Sequence, residues 1–189
     1  MPALFDFLRH ELGIEKGLVP QIMAYYQQQQ VAKGSYLVKH AQPCRQMYLI
    51  EQGYLRFYTY TDKKVVTHWI FGQQQLVTDV AGFFLQQPAK WHIQALTDAT
   101  VYTLTEANYQ LLRAQLPQWD AYEKLFLIKL MSALENRVFT LLSMTAEERY
   151  QYLFKADPNM FNALPLQHLA SMLGMTPETL SRIRAKYIG

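Results

Sequence analysis

Apolar positions change their spacing twice along this chain, and the changes divide it into three stretches. From Leu4 to Gln30 the spacing is helical. Leu4, Phe5, Leu8 and Leu12 recur at intervals of three and four, and Leu18, Ile22 and Tyr25 repeat the pattern. Pro20 suits the first turn of the second piece, where its missing N–H costs nothing. The run Gln27 to Gln30 reads as a short polar exit from that helix.

From Val31 to about Leu104 the helical period is lost. Short runs rich in β-branched and aromatic residues replace it: Tyr36 to Val38, Met47 to Ile50, Tyr54 to Tyr60, Val65 to Phe71, Trp91 to Ala95 and Thr100 to Leu104. Turn residues separate them, including Lys33-Gly34, Gln42-Pro43, Gln52-Gly53 and Thr61 to Lys64. Leu55–Tyr60 and Val65–Ile70 form a good hairpin pair, and strands at this spacing predict a sandwich or barrel-like roll.

From Glu106 the helical period returns. Ala107–Leu116 is one helix, stopped by Pro117, and Trp119–Leu142 is a long one without Gly or Pro. Within it Leu127, Met131, Leu134, Val138 and Leu141 follow a 4-3-4-3 spacing, the seam of a coiled coil about two heptads long. That seam predicts pairing between two copies; the plainer reading is a helix packed on its own β unit. Thr145 with Glu148 three residues on is a capping box opening another helix, which ends before Asp157-Pro158.

Composition narrows the class. Half of the 189 residues are hydrophobic and 17% are charged, a globular balance that supports a core as one large domain or two small ones. Thirteen Tyr and ten Phe fit a β-rich stretch. A net charge of +3 permits nucleic-acid binding without requiring it. The single cysteine, Cys44, excludes an internal disulfide and a multi-cysteine metal site, and it reads as a small buried apolar residue. No signal-peptide pattern opens the chain, and no run approaches the ~20 apolar residues of a membrane helix, so a cytoplasmic protein without a membrane partner is expected. His10, His40, His68, His92 and His168 make no His-x-His or His-x-x-x-His pair, so no metal is expected. No nucleophile elbow, phosphate loop or dinucleotide fingerprint occurs; neither an enzyme nor a cofactor is expected.

The densest signal runs from Leu166 to Ile188. Leu166, Leu169 and Leu173 make one apolar stripe, Ala170 is small where two helices would cross, and Gly174 supplies the positive φ of a tight turn. Thr176 is an N-cap, Pro177 fits N1, and Glu178 places a carboxylate at the helix start. Leu180 and Ile183 point back at the first helix. Thr176, Glu178, Thr179, Ser181, Arg182, Arg184 and Lys186 are left for the outer surface. A helix-turn-helix reads bases with the N-terminal residues of its second helix. Arg182 suits bidentate pairing with guanine and Glu178 suits a cytosine amine, while Arg184 and Lys186 suit phosphates. An ordinary helical corner with a solvated charged face is the plainer alternative.

With these residues in place the chain resembles the Crp/Fnr superfamily of bacterial transcription regulators. Gly174 to Arg182 is similar to that family's recognition-helix signature, and the order of elements matches along nearly the whole chain. The resemblance implies an α+β fold: an N-terminal antiparallel β-roll of cyclic-nucleotide-binding-like, double-stranded β-helix type, a long dimerisation helix, and a C-terminal helix-turn-helix. The corresponding divisions are residues 1–117, 118–144 and 145–189. It implies a homodimer on double-stranded DNA, with a small-molecule effector and RNA polymerase as further partners. Pro177 stands where many members carry another arginine. Thr78-Asp79 replaces the Gly-Glu pair of nucleotide-binding members, and Ala89 stands at their phosphate-binding Arg, with Lys90 a point charge beside it. Cyclic AMP is therefore not expected. Asp79, Lys90, Trp91 and His92 remain as candidates to line a pocket for another ligand, against the plainer reading of roll core and rim. The sequence ends at Gly189 without an evident wing hairpin. The alternative function is a small-molecule-binding or protein-interaction module of the same roll fold that does not act on DNA; a roll metalloenzyme is a third, requiring bound metal.

Overall fold

The computed structural model describes residues 2–188; Gly189, where the sequence was expected to stop without a wing, lies outside them. Helix α1 (Pro2–Asp6) runs into a π-helical turn at Phe7–Glu11, and α2 (Val19–Met23) follows with Pro20 in its first turn. Leu4, Leu8, Ile14, Val19 and Ile22 from this segment are buried against the roll.

The expected polar exit at Gln27 to Gln30 is instead the start of strand β1 (Gln27–Val31). It pairs antiparallel along the edge of a sheet, with Gln27 opposite Thr103 and Val31 opposite Ala99. Four glutamines conceal a strand because an edge strand needs only one buried side chain, here Val31. Their amides bond across the pair: Thr100 Oγ1 donates to Gln30 Oε1 at 3.0 Å and Thr103 Oγ1 to Gln29 Oε1 at 3.2 Å.

The remaining strands are β2 (Tyr36–Val38), β3 (Gln46–Gln52), β4 (Leu55–Tyr60), β5 (Val65–Phe71), β6 (Leu76–Val77), β7 (His92–Ala95) and β8 (Ala99–Thr105). They form two four-stranded antiparallel sheets, ordered β1-β8-β3-β6 and β2-β7-β4-β5. Leu49, Ile50, Val101, Leu55, Ile93 and Ala95 fill the roll and are fully buried. The expected hairpin is β4–β5, closed by Thr61 N–H to Lys64 O at 2.8 Å. Gly53 turns β3 into β4 at φ +92°; a Cβ there would lie 2.6 Å from Asp98 O, so only glycine fits. One short helix that the periodicity did not reveal, α3 (Val80–Phe84), interrupts the strands.

After β8, Thr105 caps α4 (Glu106–Gln115), and α5 (Trp119–Ser143) extends for 25 residues. Its start is tied to the roll: Tyr109 OH donates to Glu123 Oε1 at 2.6 Å and Lys129 pairs with Glu11 at 2.9 Å. Helix α6 (Ala146–Ala156) opens with the reciprocal Thr145–Glu148 capping box. Asp157-Pro158, read as a stop, also starts a helix, α7 (Pro158–Ala163), because the Asp157 carboxylate accepts from Met160 N and proline suits N1. Helices α8 (Leu166–Leu173) and α9 (Pro177–Ile188) end the chain.

A second core joins these last helices to the roll. Tyr150, Phe161, Leu169, Met172, Leu173, Leu180 and Ile183 pack together with Ile70 and Leu96 of the roll. Helix α8 lies along β5, the edge strand of its sheet. There the Ser171 hydroxyl accepts from Thr67 N at 2.9 Å and donates to Val65 O at 3.3 Å, while Met172 Sδ receives Ile70 N. Tyr54 OH reaches Asp157 Oδ2 at 3.1 Å; burial and that carboxylate push its pKa up to about 12, so it remains a donor.

Candidate functional sites

Helices α8 and α9 meet through a turn whose geometry follows from three residues. Gly174 sits at φ +66°, ψ +39°, the left-handed C-terminal position, and Met175 N–H returns to Ala170 O at 3.0 Å. Ala170 is fully buried at the crossing, where a larger side chain would push the helices apart. The free carbonyls at the end of α8 are held by arginines from neighbouring helices. Arg137 of α5 donates to Met172 O, and Arg149 of α6 donates to Leu173 O at 2.8 Å. Arg137 also stands 5.2 Å from the Trp69 ring.

The Thr176 hydroxyl accepts from Thr179 N at 3.2 Å at the start of α9. Its own backbone N–H and the Thr176 hydroxyl hold the Glu178 carboxyl below the usual range, so it is ionised near neutrality. Glu178, Ser181 and Arg182 are exposed, whereas Thr179 and Arg184 are half-buried. Lys186, expected to be free for phosphate, is paired with Glu147 of α6 at 3.1 Å. That pair is exposed, and its net contribution is about 0–1 kcal/mol, so an external anion competes with Glu147 on nearly even terms.

Among the 25 residues of α5 only Trp119 and Thr140 are buried. Met131 and Val138 are 60% and 55% exposed, and Leu127, Leu134 and Leu141 are about as open as a surface polar residue. Leu142 is 83% exposed, and Ile128 and Phe139 widen the apolar strip beyond the five seam residues.

The candidate pocket residues do not converge on one cavity. Strand alternation separates Trp91 from His92. Trp91 faces inward, stacked on Phe57 with ring centroids 5.1 Å apart and 4.9 Å from His68. His92 faces outward, stacked on Tyr58 at 5.0 Å and accepting from His40 N at 3.2 Å. Burial, with His40 and Lys39 nearby, lowers its pKa. The Lys90 side chain is exposed, with its ammonium 5.3 Å from the Trp91 ring. The expectation of one pocket lined by Asp79, Lys90, Trp91 and His92 is thus corrected.

Asp79 is 2% exposed and already fully engaged. Its Oδ1 accepts from Gly82 N at 2.9 Å and caps α3; its Oδ2 accepts from Lys90 N at 2.8 Å and Trp91 N at 3.1 Å. Gly82 is needed for this approach, since a Cβ there would fall 2.8 Å from the Cys44 Cβ. Three backbone amides from two segments therefore point at one internal carboxylate. The largest open spaces lie elsewhere. A groove of about 480 Å³ runs past Arg45, Gln86 and Glu106, and a cleft of about 730 Å³ separates Glu51, Gln75 and Trp69 from Asp157 and Met160.

Two features were not reached from the sequence. Asp79 as a cap was readable from its spacing to Gly82, but its reach to residues 90 and 91 depends on the fold. The contact of Ser171 and Met172 with β5 leaves no local signal. Among the described residues no cluster of potential metal ligands occurs, and no helix is long and apolar enough to cross a membrane.

Residues 28–115 match the cyclic nucleotide-binding domain family. No curated protein matches the chain. Among solved structures, a CooA variant from Carboxydothermus hydrogenoformans is 19% identical with a TM-score of 0.67, over 97% of this chain and 83% of that one. FixK2 from Bradyrhizobium japonicum is 17% identical with a TM-score of 0.71, over 85% and 83%. The catabolite activator protein of Thermus thermophilus is 19% identical with a TM-score of 0.60, over 95% and 85%. Residues 28–115 are thus a cyclic nucleotide-binding domain by family, set in a chain that shares its fold with regulators of Crp/Fnr type.

Proposed function

We propose that this chain is a dimeric, sequence-specific DNA-binding regulator of transcription, of Crp/Fnr type, whose roll does not take cyclic AMP. The observation that carries the proposal is the α8–Gly174–α9 pair, with Glu178, Ser181 and Arg182 exposed beside a helix whose apolar seam has no cover within one chain. In this reading residues 1–117 are scaffold or sensor, 118–144 pair two subunits, and 145–189 meet DNA. Two recognition helices then enter successive major grooves about 34 Å apart. Arg182 and Glu178 read bases, Thr176, Thr179 and Ser181 set register, and Arg184 and Lys186 hold phosphates, Lys186 by exchanging Glu147 for the backbone.

The cyclic-nucleotide part of the proposal rests on Asp79. A cyclic phosphate needs inward-facing amide donors and an arginine; here the amides of Gly82, Lys90 and Trp91 are taken by a carboxylate, and Ala89 supplies no charge. A second anion beside Asp79 meets like-charge repulsion. The shared fold of the structural neighbours supports the regulator reading, and RNA polymerase is the further partner it implies.

Selection of bound duplex from a random pool tests the proposal. Arg182→Ala is expected to lose about 1–3 kcal/mol of discrimination at one base pair of each half-site, and Lys186→Ala to weaken all sequences alike and to reduce the salt slope by about 0.9. Full discrimination by the Arg182 variant would remove Arg182 from the reading set. No binding to genomic DNA at low salt would favour a roll module that acts on a protein or small molecule instead.

A further inference from the structure

Strand β4 alternates its side chains between the two faces of the sheet. Leu55 and Phe57 enter the roll, and Arg56, Tyr58 and Tyr60 lie on the outer face. Arg56 nevertheless is only 6% exposed. Its guanidinium carbon lies 4.1 Å from the Tyr58 ring centroid, and its Nε donates to Thr67 Oγ1 at 2.9 Å. Among the described residues its two terminal nitrogens meet no acceptor, and no carboxylate pairs with it. A buried cation is ordinarily paired, because removing it from water without a counter-charge is costly. This one is surrounded by neutral groups that stabilise an anion rather than a cation.

The hydroxyls of Tyr36 and Tyr58 lie 2.8 Å apart, with Tyr60 beside them. Across from the sheet, His168 of α8 is close enough to feel the guanidinium. Burial and Arg56 hold its pKa at about 4, so it is neutral at physiological pH. The charges that act on Arg56 come from tyrosines, not from Asp or Glu. A planar fork, phenolic donors and a neutral imidazole, without an acid, form a donor set for one oxyanion.

We propose that Arg56 anchors a binding site for a small oxyanion, a phosphate or carboxylate group carried on a small molecule, between the outer face of β4 and helix α8. The site lies on the opposite face of the sheet from Phe57 and Trp91, outside the cyclic nucleotide-binding interior. It touches both the roll and α8, so its occupant links the two units directly. Nothing in this inference depends on DNA binding.

Thermal denaturation of the full chain in inorganic phosphate, in acetate, and in chloride at matched ionic strength tests it. Phosphate or acetate at a few times Kd is expected to raise the wild-type Tm by about 2–4 °C over chloride. Arg56→Met should abolish that response and leave the anion-free protein at least as stable as wild type, because an unpaired charge has been replaced by an apolar chain of similar length. Arg56→Lys keeps the charge without the fork and should need at least about tenfold more phosphate. A wild type indifferent to both anions, or an Arg56→Met protein that responds as wild type does, overturns the proposal. Displacement of ³¹P-detected phosphate by a stoichiometric DNA duplex would reassign the site to the nucleic-acid backbone and overturn the small-molecule reading. Phosphate retained in the presence of duplex supports it.

Discussion

Replacing Asp79 by alanine is expected to be among the most damaging single changes in the roll. The carboxylate is 2% exposed and accepts three backbone N–H groups, from Gly82, Lys90 and Trp91, at 2.8 to 3.1 Å. Alanine leaves all three donors without a partner. A buried donor so stranded costs about 1–3 kcal/mol, and the Gly82 bond alone, as a helix cap, is worth about 0.5–2 kcal/mol. Water entering the vacated space recovers part of this, so the net loss is about 3–5 kcal/mol. For a chain of this size each kcal/mol moves Tm by about 2–4 °C, placing the drop near 6–20 °C. Asp79→Asn keeps one oxygen but turns an N–H toward the remaining amides, and an intermediate loss of about 1–3 kcal/mol is expected. The measurement is calorimetric or far-UV dichroism melting of the three proteins with and without 1 mM cyclic AMP. An alanine variant within about 1 kcal/mol of wild type would show that the three amides have other partners in solution. Protection of the wild type by cyclic AMP would refute the idea that Asp79 occupies the anion position.

Met172→Ala, at a position 1% exposed in the core shared by α8 and Ile70, should cost about 2–5 kcal/mol; a much smaller loss in the same melting assay would mean that α8 does not rest on β5. Leu134→Glu with Val138→Glu should convert a dimer to a monomer in sedimentation without changing the dichroism spectrum, since both side chains are open in a single chain; a persistent dimer would place the interface elsewhere. His168 is held neutral in the fold, with a pKa near 4 against 6.5 when unfolded, so the unfolded chain binds the extra proton between those values. Its contribution is therefore complete above about pH 6.5 and is lost as pH falls toward 4. His168→Gln should flatten that part of the Tm–pH curve, and an unchanged curve would assign the acid sensitivity to other groups.

Local chemistry was legible where it is self-contained. Thr105 and Thr145 as caps, Gly174 as a left-handed turn and Pro177 in the first turn each act within four residues, so the sequence carries the whole interaction. The β4–β5 hairpin was equally readable from its alternation. Strand β1 was not, because its glutamines satisfy an edge and not a core. Trp91 and His92 are adjacent in sequence yet lie on opposite faces, and proximity in the chain suggested a shared pocket that the pleat forbids. Arg56 sits in an alternating strand where an outward arginine is ordinary; only the covering by tyrosines and α8 turns it into a buried cation.

The contact between Ser171 and β5 also bears on solubility. An uncovered β5 would present Thr67 and Ile70 N–H and Val65 C=O as a row of open partners, the usual template for edge-to-edge association of sheets. Helix α8 occupies that row with one hydroxyl and one thioether, neither of which can extend a ladder to another strand. The terminal helices thereby keep the roll from polymerising. A roll cut away from them would carry an adhesive border, and its aggregation would reflect this lost cover and not a failure of its own core to fold.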